Sequence, residues 1–230
     1  MKSLLLTAAA ALCATATLST AEGLPPAAPT LKMLEGGSDW TPIFDGKSLA
    51  GWKGEGYAVE GGAIVCTPKG SFLQTEKEYS DFVLDFEFQL APGANNGIGL
   101  RYPGSGDAAY VGMEIQVLDD RHEKYKGLQE WQFHGSVYGV QPSGQAKVNR
   151  LKPVGEWNQA EIKINKGKLD LFLNGTNVVS TTLWDDNWKK LVAGSKFKAM
   201  PDFATFKSGH IALQDHGDMV WYKNIRIRKL

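Results

Sequence analysis

Glu114 and Gln116 are the first pair whose types and spacing suggest chemistry. In YVGMEIQVLD, Val111, Met113, Ile115 and Val117 alternate with Gly112, Glu114 and Gln116. A strand here turns the apolar set one way and sets a carboxylate and an amide side by side on the other face, about 7 Å apart. GIGLRY repeats the pattern, with Ile98, Leu100 and Tyr102 on the apolar face and Gly97, Gly99 and Arg101 opposite. Two glycines beside an arginine leave room for something to lie on the sheet. In HIALQDHG, Ile211 and Leu213 read as core, while His210, Ala212, Gln214 and His216 share the other face. Any one of these strands matches an ordinary solvated sheet face. If all three are neighbours, Arg101, Glu114, Gln116, Gln214 and His216 line one polar trough. Its planar amides, carboxylate and guanidinium are the donors and acceptors of a sugar site, and with no net charge on the chain they point to a small neutral carbohydrate.

Other candidates are less regular. By parity Asp119 faces the core, so it reaches the trough only through a bulge or the strand end, and otherwise caps the next loop. His134 and Tyr138 fall in EWQFHGSVYG, a loop–strand junction, and are candidate ligand contacts, although a lone histidine is more often structural. Trp131, Trp184 and Trp188 stand in polar sequence where an indole could stack on a sugar ring, whereas Trp40, Trp52 and Trp221 have apolar contexts that suit packing. Glu114, Asp119 and His216 could together hold a divalent cation, but the spacing does not require one. No other cofactor is expected: there is no G-x-S-x-G elbow, phosphate loop, H-E-x-x-H zinc motif or dinucleotide fingerprint.

The elements that must position these residues are strands. FVLDFEFQL alternates Phe82, Leu84, Phe86, Phe88 and Leu90 with Asp85, Glu87 and Gln89. KLDLFLNGTNVVSTT turns at Asn174-Gly175, the strongest short-range hairpin signal. Only 185–206 suggests a helical turn or two, as a lid or insertion. The 230 residues carry 26 scattered glycines and 43% hydrophobic residues. They predict an all-β protein, a two-sheet antiparallel jelly-roll sandwich, with a closed barrel as the alternative. Formal charge is zero and no basic block occurs, which argues against a nucleic-acid partner. Lys2, the apolar stretch 4–18 and Ser19-Thr20-Ala21 read as a signal peptide over residues 1–21. The apolar run falls short of the ~20 residues of a membrane span, so export to the periplasm or the outside is expected. Residues 22–38 read as a flexible linker and 39–230 as one domain. Beyond the signal only Cys66 remains, a small buried hydrophobe that cannot form an intrachain disulfide.

The ordered series WTPIFDGKSLAGW, YSDFVLDFEFQL, NNGIGLRY, GMEIQVLDD, GSVYG, KPVGEWNQAEI, LNGTNVV and GHIALQDHG resembles the 3-keto-disaccharide hydrolase domain family, from about Trp40 to Leu230. The resemblance implies a concanavalin A-like jelly roll, often in exported bacterial proteins, acting on glycosides whose sugar has been oxidised at C3. The family's blocks fall on Glu114, Gln116 and Asp119; on Asn96, Gly97 and Arg101, with Asn95 just before; and on Leu213, Gln214, Asp215, His216 and Gly217. A C3 ketone acidifies the C2 proton, and removing that proton lets the group on C1 leave. In that scheme Glu114 or His216 is the base, Arg101 stabilises the enolate, and Asp119 or His216 is the acid. A conventional glycosidase using Glu114 and Asp119 as its carboxylate pair, or a non-catalytic sugar-binding module, are the alternatives.

Overall fold

Alternating apolar residues are satisfied when one face of each strand is buried against a second sheet, and this chain does so throughout. The computed structural model describes residues 39–67 and 72–230. The expected signal peptide and linker lie outside them. In chain order the elements are β1 (Thr41–Pro42), β2 (Trp52–Gly54), β3 (Tyr57–Glu60), β4 (Ala63–Cys66), β5 (Phe72–Thr75), β6 (Phe82–Leu90), β7 (Asn95–Tyr102), α1 (Ala108–Val111), β8 (Met113–Leu118), α2 (Gln145–Val148), β9 (Asn158–Asn165), β10 (Lys168–Leu173), β11 (Thr176–Thr182), α3 (Asp186–Ala193), β12 (His210–Asp215) and β13 (Val220–Lys229).

The strands form two antiparallel sheets. The larger has eight strands in the order β11-β10-β9-β6-β13-β4-β3, with β1 paired to β13; the smaller has five in the order β2-β5-β12-β7-β8. Phe82, Leu84, Phe88 and Tyr222 of the large sheet and Leu73, Ile98, Leu100 and Met113 of the small sheet are each less than 2% exposed between them. This is the expected jelly-roll sandwich and not a closed barrel. The Asn174-Gly175 turn joins β10 to β11 with both residues at positive φ (47° and 79°), the geometry a tight hairpin demands. α3 is capped by Asp185, whose side chain accepts from the Trp188 N–H at 2.7 Å. Among the described residues no helix is long and apolar enough to cross a membrane.

One irregularity overturns part of the parity reading. The pairing of β12 with β7 shifts between His210 and Ala212, and Arg101 takes a φ of 52°. This bulge makes Tyr102, not Arg101, the partner of His210, so Tyr102 joins the face of Gly99 and packs with Ala212 and Ala108. Arg101 is turned away. Its guanidinium donates to the Ser80 carbonyl at 2.9 and 3.3 Å and to Asp81 Oδ1 at 3.2 Å, and lies 5.1 Å from the Trp184 ring. It staples β7 to neighbouring loops and does not meet Glu114. Replacing Arg101 by Met should lower stability by about 1–3 kcal/mol, through carbonyls left without a donor, and leave turnover per folded molecule unchanged. A urea titration beside a rate assay checks both, and an unaltered midpoint with lost turnover would return Arg101 to the site.

Candidate active site

Register across the small sheet builds the site. Gln116, Gly97 and Gln214 lie in one row across β8, β7 and β12, and Glu114, Gly99 and Ala212 lie in the next. Glycine at position 97 leaves an opening, and the Glu114 side chain fills it: a Cβ on Gly97 would stand 2.1 Å from Glu114 Oε1. The carboxylate thus lies across β7 and reaches β12. There the Gln214 carboxamide is 3.0 Å from both Glu114 oxygens. Only its nitrogen can donate to a carboxylate, so that end faces Glu114. Gln116 Nε2 donates to Asn95 Oδ1 at 2.7 Å, and the Asn95 N–H donates to Asp218 Oδ2 at 3.0 Å.

These groups open into a cavity of about 290 Å³, lined by Asn95, Asp107, Tyr110, Glu114, Gln116, Tyr138, Gln214 and His216 among others. That volume is near the lower end of the range for small-molecule sites. Glu114 is 3% exposed. Burial, aided by the Asp107 charge, pushes its carboxyl up to about 8, while the Lys196 charge pulls the other way. A carboxyl poised near neutrality beside a polar cavity is suited to moving protons. His216 is exposed just beyond the end of β12, at the cavity wall. A larger hollow of about 440 Å³ beside Thr41–Asp45 and Thr75–Tyr79 has no comparable buried carboxyl.

Glu114, Gln116, Gln214, His216 and Tyr138 therefore converge as the sequence suggested. The other predicted site residues do not. Asp119 neither reaches the cavity nor caps the loop that follows β8: its Oδ2 accepts from the Gly93 N–H at 2.7 Å, in the loop before β7. His134 is buried: its Nδ1 accepts from the Leu118 N–H at 3.1 Å and its ring stacks on Phe88 at 5.2 Å. Burial drives its pKa down to about 3, so it is a neutral packing group. Trp131 sits behind Tyr138, rings 5.8 Å apart, and is not part of the cavity wall. Asn96 faces the core, accepting from the Tyr222 hydroxyl at 2.6 Å and donating to the Tyr57 hydroxyl at 3.3 Å. Tyr57 in turn donates to the Gln214 carbonyl at 3.0 Å, so this buried chain supports β12, whose Gln214 side chain holds the Glu114 carboxylate. Asn95 is the asparagine that meets the cavity, and the parity that selected Gly97 also selects it. Asp107 and Tyr110 arrive on the short 103–112 connection between β7 and β8, where Val111 and Gly112, read in sequence as strand, instead end and cap α1. Among the described residues no cluster of three His, Cys, Asp or Glu side chains is placed to hold a metal ion.

Residues 39–228 match the family described as the 3-keto-alpha-glucoside-1,2-lyase-like domain. A Bacteroides thetaiotaomicron protein named 3-keto-disaccharide hydrolase is 31% identical over 227 residues, covering 82% of this chain and 77% of that protein. Crystal structures of two Parabacteroides distasonis proteins, provisionally named glycosyl hydrolases, superpose with TM-scores of 0.76 and 0.67 at 29% and 28% identity. The matches span 84% and 83% of this chain and 94% and 99% of theirs. A Bacillus subtilis protein with a galectin-like fold, at a TM-score of 0.51 and 10% identity over 83% of this chain and 94% of its own, shares the sandwich alone. Because the match spans β7, β8 and β12, the strands that carry the cavity, the chain belongs to the 3-keto-α-glucoside-1,2-lyase-like domain family.

Proposed function

We propose that this protein cleaves 3-keto-disaccharides by elimination followed by hydration, with Glu114 as the group that moves the C2 proton. Its family and its curated relative make it a hydrolase of glycosidic bonds. The observation that carries the finer reading is the Glu114 carboxyl, laid over Gly97, held by Gln214 and raised to about 8 in a cavity of amides and hydroxyls. Glycoside cleavage by two flanking carboxylates would need a second acid at the bond; Asp119 is committed to Gly93, and the other carboxylate of the cavity, Asp107, caps α1 by accepting from the Ala109 N–H at 2.9 Å.

In the first half-reaction the Glu114 carboxylate takes the proton from C2, whose bonding pair becomes the C3 enolate. The enolate collapses to the ketone, a C1=C2 double bond forms, and the C1–O bond breaks. The leaving oxygen takes a proton, for which His216 at the cavity wall is the donor. Water then adds to C1 and gives its second proton to the His216 imidazole, while the Glu114 carboxyl, its proton exchanged with solvent, returns one to C2; one water is consumed overall and both groups are restored. Positioned acid–base catalysis contributes about 10²–10⁴-fold. Run in D₂O, the reaction should leave one solvent deuterium on C2 of the 3-keto-sugar, and the unoxidised disaccharide should stay intact. Product that carries no deuterium, or cleavage of both sugars alike, would reject elimination. The signal-like N-terminus supports export, so the mature protein from the periplasm or medium should begin at Glu22 by mass.

A further inference from the structure

The elimination places negative charge on the C3 oxygen, and a cation there would stabilise it. Arg101 is elsewhere. We propose that the Lys196 ammonium supplies this charge, donating to the ketone oxygen of the oxidised sugar; the assignment rests on the reading above. Lys196 Nζ lies 3.9 Å from the centre of the Tyr138 ring, 4.7 Å from that of Tyr110, and 3.4 Å from the Tyr110 hydroxyl. Both tyrosines line the Glu114 cavity, so the charge stands at the rim of the cavity.

The turn that carries it is anchored. Adjacent Phe197 is fully buried, stacks on Phe203 at 4.0 Å and meets Tyr110 edge-on at 5.5 Å. Gly139 makes room: a Cβ there would stand 2.6 Å from the Phe197 ring and 3.3 Å from Lys196 Cε. Lys196 forms no salt bridge among the described residues. A cation held by two π-faces and left without a carboxylate keeps its charge for a ligand. It also faces Glu114 electrostatically, together with Asp107 of the α1 cap, Gln214 of β12 and, from the opposite sheet, Tyr222. Lysine need form no covalent bond here. It donates a hydrogen bond and keeps its proton while the pair from C2–H moves to the oxygen and returns.

Lys196→Met keeps the stem and removes the charge. It should lower kcat on a 3-keto-disaccharide by about 10²–10³-fold and leave the thermal midpoint unchanged. The acid limb of kcat/KM should move to higher pH, because the ammonium favours the ionised Glu114. Lys196→Arg should restore most of the rate, since guanidinium keeps the charge and cannot form an imine. Wild-type rate and an unmoved limb in Lys196→Met would overturn the assignment alone. So would an inactive Lys196→Arg accompanied by borohydride trapping of wild-type enzyme on substrate, which would make Lys196 a Schiff-base lysine. No turnover of any 3-keto-disaccharide by the wild-type protein would remove the functional reading and this assignment together.

Discussion

Glu114→Gln should reduce kcat on a 3-keto-disaccharide by about 10²–10⁴-fold, the contribution of a positioned proton-transfer group, and abolish deuterium incorporation at C2. The substitution keeps size and shape, and its amide oxygen still accepts from Gln214, so the fold should persist. A second, independent signature lies in stability. The folded-state pKa of Glu114 is raised to about 8 from an ordinary 4.5, so between those values the native protein binds a proton that the unfolded chain has lost. Stability from this group is full below about pH 4.5 and declines as pH rises through about 8. The wild type should therefore lose stability relative to Glu114→Gln between pH 5 and 9. At about 1.4 kcal/mol per pKa unit the loss is a few kcal/mol at most, moderated by the Gln214 donation that favours the carboxylate. Urea midpoints of both proteins across that range measure it. Parallel curves would mean Glu114 titrates normally, and retained turnover would discard it as the proton carrier.

Sequence legibility followed regularity of the backbone. Where a strand is regular, period two is enough: it set Glu114 and Gln116 on one face, faced Gly97 toward them, and put Ile98, Leu100, Met113 and Ile115 in the core. The same rule correctly left Asp119 off the site face, and the loop 91–94 satisfies it there. The failure at Arg101 is one bulge. Nothing in GIGLRY marks that residue for φ 52°, since the cause is the register of a distant strand, β12. Family blocks name positions without saying which way they face, and so Asn96 drew attention that belongs to Asn95. His134 resembles a ligand contact in sequence, because burial against Phe88 is a tertiary fact. Asp107, Tyr110 and Lys196 come from the 103–112 connection between β7 and β8 and from the turn after α3. Their convergence on the cavity depends on packing of Phe197 against Gly139 and Tyr110, which no local pattern encodes.

Gly97→Ala should nearly silence the enzyme without unfolding it. The added Cβ would meet Glu114 Oε1 at 2.1 Å, Cδ at 2.6 Å and Cγ at 2.7 Å, all atoms of one side chain and none of the backbone. Position 97 needs no positive φ, so alanine suits the strand and the whole conflict falls on Glu114. The carboxylate has to leave Gln214 and swing toward the cavity mouth. Displacement of about 1 Å from productive geometry costs ~10²-fold, and this shift is larger, so a loss of at least that size is expected. Stability should fall little, because releasing Glu114 to water relieves its own desolvation. The mechanism makes a further demand: if Gly97→Ala acts only through Glu114, then Gly97→Ala/Glu114→Gln should be no slower than Glu114→Gln alone, a strong coupling in a double-mutant cycle. Losses that multiply would show that Gly97 serves the substrate directly, by leaving the sheet open beneath the sugar, and that the carboxylate is not what its missing side chain accommodates.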